Sequence, residues 1–172
     1  MTNQSLYHPN NTPKVSVIMN CLNCSKYLHE AIDSVYAQTY KDWEIIFWDN
    51  ASTDGSVEIA KSYDDRLRYF GSEETVPLGK ARNLAIEKAS GKYIAFLDCD
   101  DVWLPEKLEK QIPLLKDERV GLVFSNAIYF DEKGNWRKLY GIKKPPRGMV
   151  FRELLKNYFL SMPTVIIRRD IL

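Results

Sequence analysis

The stretch KYIAFLDCDDVW, residues 92–103, decides how the rest of the chain is interpreted. Its residues 93–97 are all apolar or aromatic, and a short apolar run bounded by turn residues is typical of a buried strand. Three carboxylates follow within four positions, at Asp98, Asp100 and Asp101. Clustered carboxylates disfavour one another's ionisation unless a positive charge is near, and hard divalent cations prefer oxygen ligands. The stretch predicts a strand that ends in a metal or phosphate site, with an acidic solvated loop as the alternative.

Strands and helices alternate on both sides of this stretch. Apolar runs predict further strands at residues 15–19, 43–48, 67–70, 120–124 and 164–167. Helical spacing predicts a helix on the face of Leu28, Ala31, Ile32 and Val35, one over residues 56–63, one on the face of Ala81, Leu84, Ala85 and Ala89, and one from Pro105 that Pro113 kinks or shortens. The regular alternation up to residue 124 predicts parallel strands joined by crossovers.

The pattern changes in the last third of the chain. Residues 127–130 and 136–140 flank the turn-rich sequence DEKGN, which predicts a hairpin, and residues 151–158 predict a short helix. We therefore expect an α/β fold with a mainly parallel central sheet flanked by helices and a small antiparallel hairpin toward the C-terminus. The segment 137–147 carries several basic residues, namely Arg137, Lys138, Lys143, Lys144 and Arg147. Such a segment is usually solvated, and the alternative is a basic flap against a phosphate or an anionic membrane surface.

Composition narrows the class of protein. The chain has 172 residues and a formal charge of +1, so nothing indicates general nucleic-acid binding. No apolar run approaches the length of a membrane span, and the N-terminus has no apolar signal core. We expect a disordered lead-in over residues 1–13 and one domain over 14–172. The predicted location is cytoplasmic, with peripheral contact at the inner face of the membrane if the basic flap binds lipid.

Cysteine is rare in this chain. The three cysteines suit a reducing compartment, and two of them, Cys21 and Cys24, form a CxxC motif. Without a second pair or a His cluster, a zinc site is not expected. We expect two small residues at the junction of a strand and a helix, with a redox pair as the alternative.

Polar residues follow three of the predicted strands. The first strand leads into Asn20 and Asn23, the second into Asp49 and a polar turn able to cap the next helix, and the central one into Asp98 and Asp100. Ligands of open α/β sheets bind outside the carboxyl ends of the strands. The sequence lacks GxGxxG and GxxxxGK[ST], so a diphosphate bound here would be held mainly through a cation.

In this order along the chain, the motifs resemble the N-terminal nucleotide-sugar-binding domain of the family 2 glycosyltransferases, which have the Rossmann-like glycosyltransferase-A fold. The resemblance covers nearly the whole chain from Val15 onward. The matching stretches are VSVIMNCLN (15–23), LHEAIDSVYAQTYKDWEII (28–46), DNASTDGS (49–56), LGKARNLAIEKASGKYIAFLDCDD (78–101) and WLPEKL (103–108).

The resemblance implies the inverting transfer of a sugar from a nucleotide-diphosphate donor, with UDP as the default nucleotide, to a hydroxyl of a saccharide or lipid-linked acceptor. It implies that the loop from Asn20 to Asn23 borders the base, with Leu22 where many members have an aromatic residue. The other implied roles are hydrogen bonding to the base by Asp49, nucleotide contact by Arg82, contact on the ribose or metal side by Asp98, and ligation of Mn²⁺ or Mg²⁺ by Asp100.

One family feature is missing from the sequence. The family's general base is an acidic residue beyond the strand predicted at 164–167, and the chain ends at Leu172. We expect the domain to be truncated at its C-terminus, with Asp131 as the alternative base. Two other functions stay open. One is a haloacid-dehalogenase-like phosphohydrolase that uses Asp98 as nucleophile, and the other is a non-catalytic nucleotide-binding module.

Overall fold

The structure, a computed structural model, describes residues 12–142 and 144–172. Residues 1–11 of the predicted lead-in, and Lys143 of the predicted basic segment, lie outside the described residues. The strands are β1 (Val15–Cys21), β2 (Trp43–Asp49), β3 (Leu67–Gly71), β4 (Tyr93–Phe96), β5 (Leu122–Val123), β6 (Ile128–Phe130), β7 (Trp136–Lys138) and β8 (Ile166–Arg168). The helices are α1 (Ser25–Tyr36), α2 (Ser56–Lys61), α3 (Leu78–Glu87), α4 (Lys107–Gln111) and α5 (Phe151–Lys156), with 3₁₀ turns at Ile112–Lys116, Met162–Thr164 and Arg169–Ile171.

The main sheet has six strands in the order β3-β2-β1-β4-β8-β5. β1 lies near the middle and pairs in parallel with β2 and with β4. These three strands are almost wholly buried, because helices cover both faces of the sheet. On one face α1 packs its predicted apolar side against residues such as Val17 and Phe47, and on the other α3 packs Ala81 and Ala85 against Ile46 and Ile94. The predicted mixed fold with a mainly parallel sheet is confirmed.

The far side of the sheet differs from the prediction. The strand expected over residues 120–124 is reduced to β5, and β5 does not pair with β4. β8, near the C-terminus, lies between them and is antiparallel to both. Local apolar patterns predict that a strand exists, but its neighbours are set by pairing between distant parts of the chain.

Pro113 shortens α4, as predicted. The regular helix ends at Gln111 and continues as a 3₁₀ turn, because proline has no N–H to donate to the helix ladder. The predicted hairpin is confirmed as β6 and β7, which pair antiparallel and are exposed on both strands. The described basic side chains of segment 137–147 are also exposed, and their partners stay a prediction. Within the described residues, no helix has both the length and the apolar character needed to cross a membrane.

A buried carboxylate joins the amino ends of the strands. Glu44 of β2 is 4% exposed and accepts hydrogen bonds from Ser16 (2.6 Å) and from the hydroxyl (2.6 Å) and backbone N–H (2.9 Å) of Ser90. Arg68 of β3 donates to its other oxygen at 2.9 Å. This network lies at the edge opposite the strand ends discussed below, and it ties β1, β2, β3 and the approach to β4 together.

Candidate nucleotide and metal site

The carboxyl ends of β1, β2 and β4 form one edge, because the three strands are adjacent and parallel. The register places Asn20 opposite Trp48 and Cys21 opposite Asp49. The chain leaving β4 stays beside β1, since the backbone N–H of Leu97 donates to the carbonyl of Ile18 at 3.1 Å. The structure therefore brings the predicted residues of the first and second strand ends to the same edge as the carboxylates after β4.

Asp49 ends β2 with a buried carboxylate, 4% exposed. Its two oxygens accept hydrogen bonds from the backbone N–H of Ser52 at 3.1 Å and from the hydroxyl of Tyr69 at 3.2 Å. Burial and the neighbouring Asp49 charge raise the pKa of Tyr69 to about 12, so this hydroxyl remains a donor at neutral pH. Asp49 thus shapes the turn after β2 and anchors it to β3.

The loops after β1 and β2 are bound to each other. The backbone N–H of Asn23 donates to the Ser52 hydroxyl at 2.9 Å, and the Asn23 side-chain oxygen accepts from the N–H of Thr53 at 2.8 Å. Asn23 has φ 56° and Ala51 has φ 66°, the two non-glycine residues with positive φ in the described part of the chain. Such backbone conformations cluster at ligand sites, where the surroundings enforce them.

Asp54 holds the starts of both neighbouring helices. One carboxylate oxygen accepts from the N–H of Ser25, the first residue of α1, and the other accepts from Ser56, the first residue of α2. Loss of hydration raises the pKa of Asp54, but the hydrogen bonds from Ser56 and Ser25 outweigh it and hold the pKa below its usual range. The sequence predicts a cap for α2 here, and the additional cap on α1 depends on the packing of the two loops.

Two predicted site residues meet directly after β4. Arg82 of α3 donates to the Asp98 carboxylate at 3.0 Å, and both side chains are partly exposed. Asp100 is exposed, and Asp101 is half-buried. Burial, and then the charges of Asp100 and Asp98, raise the pKa of Asp101 to about 6. Arg82 thus pairs with one of the three carboxylates that follow β4, and carboxylate oxygens are the ligands that hard divalent cations prefer.

The end of β1 and the loop after it contribute polar and apolar groups to the same edge. The side-chain nitrogen of Asn20 is buried and has no hydrogen-bond partner among the described residues. A buried donor without a partner costs about 1–3 kcal/mol, and this nitrogen is available to a hydrogen-bond acceptor. Leu22, in the loop after β1, is 48% exposed.

Asp131 lies in the hairpin turn. Its oxygens accept from the N–H groups of Lys133 and Asn135 and from the Asn135 amide, at 2.9–3.0 Å. The hydrogen bonds from Asn135 come first among the causes that lower the pKa of Asp131. The next residue, Glu132, accepts from Lys26 at 2.9 Å and from the Tyr27 hydroxyl at 2.8 Å, so the turn lies against the first residues of α1.

The expectation for the CxxC motif is wrong. Cys21 and Cys24 are not merely small residues at a junction, because the structure joins them by a disulfide. Their Cα atoms are 5.8 Å apart, within the range of disulfides, since the chain turns from β1 into α1 between them. Sequence reasoning also missed that Cys99 comes next to this pair. The three sulfur atoms lie within 4.8 Å of one another.

Comparisons with known proteins identify the family of the chain and its fold. The profile of the family described as Glycosyl transferase family 2 matches residues 16–172. The chain is 33% identical over 159 residues to the Escherichia coli UDP-Glc:alpha-D-GlcNAc-diphosphoundecaprenol beta-1,3-glucosyltransferase WfgD, covering 92% of this chain and 61% of that protein. The chain spans between 47% and 63% of the length of the first curated relatives it matches.

Solved structures have the same fold. Residues 1–349 of S. aureus TarS superpose with a TM-score of 0.72 at 25% identity, over 92% of this chain and 48% of that one. TarS 1–349 has also been crystallised with UDP-GlcNAc. The mannosyltransferase PcManGT from Pyrobaculum calidifontis, in complex with GDP-Man and Mn²⁺, superposes with a TM-score of 0.69 at 20% identity, over 95% of this chain and 47% of that one.

Proposed function

Because the chain belongs to glycosyl transferase family 2 and has the glycosyltransferase-A fold, we propose that it binds a nucleotide-diphosphate sugar at the carboxyl edge of its sheet. UDP is the proposed nucleotide. One observation carries the proposal, namely the carboxylates after β4, where Asp98 pairs with Arg82 and Asp100 is exposed. They lie on the same edge as the Asn20 loop and Asp49, so one ligand can contact all of them.

Asp98 and Asp100 are the residues that would hold the cation, Mn²⁺ or Mg²⁺. When bound, the cation acts as a Lewis acid that neutralises the diphosphate leaving group. Arg82 fixes the orientation of the Asp98 carboxylate and adds a positive charge on the nucleotide side. Mn²⁺, the ion in the mannosyltransferase complex, is the one to test first.

The nucleotide contacts are assigned to the ends of β1 and β2. The unpartnered nitrogen of Asn20 supplies a donor, and Asp49 supplies a carboxylate oxygen for the base. Leu22 offers an exposed apolar surface against the base in place of an aromatic ring. Asn23 acts indirectly, because its hydrogen bonds to Ser52 and Thr53 set the shape of the loop.

For the whole protein, we propose transfer with inversion to a hydroxyl of a saccharide or lipid-linked acceptor. The hydroxyl oxygen attacks the anomeric carbon, a general base takes its proton, and the nucleoside diphosphate leaves. Asp131 is poorly suited to the role of general base, because the hydrogen bonds from Asn135 in its own turn lower the pKa of its carboxyl group and so weaken it as a proton acceptor. We assign the base to no residue within ranges 12–142 and 144–172.

The two alternative functions make different predictions. The phosphohydrolase requires Asp98 as a free nucleophile, whereas Asp98 is paired with Arg82 in a chain whose family profile extends over residues 16–172. The non-catalytic module would bind the donor as the proposed enzyme does, but it would not transfer the sugar. Sugar transfer from a UDP-sugar to a saccharide or lipid-linked acceptor separates it from the proposed enzyme.

Calorimetric titration with UDP, in Mn²⁺ and in EDTA, tests the proposed site. The proposal predicts that EDTA weakens binding to the wild type, and that Asp100→Asn lowers the affinity in Mn²⁺ to the value in EDTA. Asp65→Asn is the matched control, because Asp65 is exposed just before β3, at the opposite edge of the sheet. Equal affinities of wild type and Asp100→Asn in both conditions would remove the cation from the site.

A further inference from the structure

A cluster of three sulfur atoms lies under the proposed nucleotide site. Cys21 is the last residue of β1, Cys24 immediately precedes α1, and Cys99 lies between the carboxylates Asp98 and Asp100. Cys21 and Cys24 form the disulfide, and Cys99 is a buried free thiol that donates to the carbonyl of Asn20 at 3.3 Å. Neither the proposed binding of the donor nor the transfer step uses these sulfurs.

The disulfide closes the loop that borders the proposed base site. Only Leu22 and Asn23 lie between the two cysteines, and Asn23 adopts φ 56°, a conformation that costs free energy for a non-glycine residue. The cross-link removes much of the freedom through which this loop would otherwise relax. Leu22, which like Asn23 is exposed, is held in place by the same constraint.

Ser52 connects the disulfide to Asp49. Its hydroxyl lies 3.7 Å from the Cys21 sulfur and accepts from the N–H of Asn23 at 2.9 Å, while its own N–H donates to the Asp49 carboxylate at 3.1 Å. On the other side of the loop, the Ser56 hydroxyl lies 3.7 Å from the Cys24 sulfur. The same hydroxyl accepts a hydrogen bond from the backbone N–H of Cys24 at 3.1 Å. Cleavage of the disulfide therefore affects both the loop and the Asp49 carboxylate, which is proposed to contact the nucleobase.

We propose that the Cys21–Cys24 pair is a redox-modification site whose state sets the affinity for nucleotide, an inference that rests on the proposed function. A dithiol reductant cleaves the S–S bond by two exchange steps, so that two S–H groups form and the dithiol becomes a disulfide. Two electrons and two protons pass from the reductant to the protein. The Cys-X-X-Cys spacing is the one found in disulfide oxidoreductases, which fits a switch rather than a permanent cross-link.

The disulfide form is the one with the ordered loop, and it binds nucleotide more tightly. Reduction frees two residues whose backbone must be ordered again on binding, and the Asn23 hydrogen bonds offset only part of that entropic cost. We therefore expect reduction to raise the Kd for UDP by roughly three- to tenfold, because the reduced loop must be ordered when the ligand binds.

The experiment compares two defined redox forms of the same chain. One sample is treated with a mild disulfide oxidant, the other is reduced with dithiothreitol and desalted under argon, and alkylation followed by mass spectrometry counts one free thiol against three. Calorimetry then gives the Kd for UDP in Mn²⁺. Hydrogen exchange of residues 20–25, measured without nucleotide, reports loop order directly.

Two variants serve as controls. Cys24→Ser is expected to bind UDP with the Kd of the reduced wild type under both treatments, because the disulfide cannot form. Cys99→Ser keeps the disulfide and is expected to keep the redox response. Circular dichroism checks that each variant is folded. If Cys24→Ser is unfolded, the two forms of the wild type still decide the question.

The outcomes separate this inference from the proposed function. Tighter UDP binding and slower loop exchange in the oxidised form support the redox site. Equal Kd values in two forms verified by alkylation overturn it, as does failure of the disulfide to form under the oxidant. If neither form binds UDP, the proposed function fails, and the redox control of nucleotide affinity fails with it. Exchange of the loop that does not depend on the redox state overturns the structural basis of the switch even where UDP binds.

Discussion

The Asp49 carboxylate is bound within the fold and also assigned to the ligand. It anchors the turn through Ser52 and accepts from Tyr69, and it does so at the edge where the base is proposed to bind. A loss of binding on its removal could therefore come from a lost contact or from a distorted turn, and a pair of variants distinguishes the two.

Asp49→Ala is predicted to weaken UDP binding by ~1–3 kcal/mol, the cost of a lost charged hydrogen bond. Tyr69→Phe is the matched variant, because it removes the hydroxyl that holds Asp49 and leaves the carboxylate in place. We expect a smaller loss of affinity for Tyr69→Phe, measured by calorimetry with the fold checked by circular dichroism. Full affinity of folded Asp49→Ala would count against a role in base recognition.

Gly91 is required by a close approach of two backbones. A Cβ at this position would lie 2.6 Å from the backbone nitrogen of Ser16 and 2.8 Å from the carbonyl carbon of Val15. Because these are backbone atoms, the strands would have to move apart. Gly91→Ala is therefore predicted to lower the free energy of unfolding by ~1–3 kcal/mol, measured by urea denaturation.

Gly79 provides the matched control for Gly91. It lies in α3, is exposed, and has open space where a Cβ would be added. Since alanine favours helix by up to ~1 kcal/mol over glycine, Gly79→Ala should leave the stability unchanged or raise it. Equal midpoints for the two variants would show that the strands near Gly91 yield easily.

At the scale of single residues, the sequence predicts the chemistry of the site better than its geometry. Asp98, Asp100 and Asp49 are recognisable because each follows an apolar strand. Three features are not predictable in this way: the lack of a partner for the Asn20 nitrogen within the described part of the chain, the positive φ of Asn23, and the place of Cys99 beside the disulfide. They depend on atoms brought close by β1, β2 and β4 together, and no local pattern records those distances.

At the scale of the elements, Glu44 holds the amino ends of the strands together through its hydrogen bonds. Burial raises the pKa of its carboxyl group, but the hydrogen bonds from Ser16, Ser90 and Arg68 outweigh burial, so the pKa lies below its usual value. A carboxyl group with a lowered pKa in the folded state adds stability above its unfolded pKa of ~4.3. That stability is lost as the pH falls through the lower, folded-state pKa.

Glu44→Gln is accordingly predicted to lower the free energy of unfolding at pH 7 by ~1–3 kcal/mol, and to make stability less dependent on pH below ~4.3. Urea denaturation at a series of pH values measures both effects. Glu87→Gln is the control, since Glu87 is exposed at the end of α3. If the free energy of unfolding varied with pH in the same way for the wild type and for Glu44→Gln, the pKa of Glu44 would be the same in the folded and unfolded chain.

The helices and the central strands are predictable as elements, and the order of the strands is only partly so. α1 follows from four apolar residues at helical spacing, all of which are buried. β1, β2 and β4 follow from continuous apolar runs. The position of β8 between β4 and β5 has no local signal, because it results from pairing across about 75 residues of chain, between Tyr93 and Arg168.

Across the whole molecule, the turn of the small hairpin contacts the helix that follows β1. The main sheet ends in the loop that leads into α1, and the turn of the small hairpin touches the first residues of that helix. Glu132 makes this contact, since it accepts from both Lys26 and Tyr27. The ion pair is fully exposed, so its effect on global stability is small, and its effect on the position of the hairpin is the quantity to measure.

Glu132→Ala is predicted to release the hairpin turn from α1 without changing the midpoint of thermal unfolding. Hydrogen exchange of residues 128–138 should become faster, because the amides of β6 and β7 are protected only by the hairpin's own ladder once the turn is free. Lys133→Ala, one residue further along the same turn, is the matched control, since its side chain is exposed and makes no hydrogen bond to the described residues. If both variants exchange like the wild type, the contact between the turn and α1 does not position the hairpin. The hairpin is then held at its open end, where Tyr140 donates to the carbonyl of Phe159 and packs against Phe124.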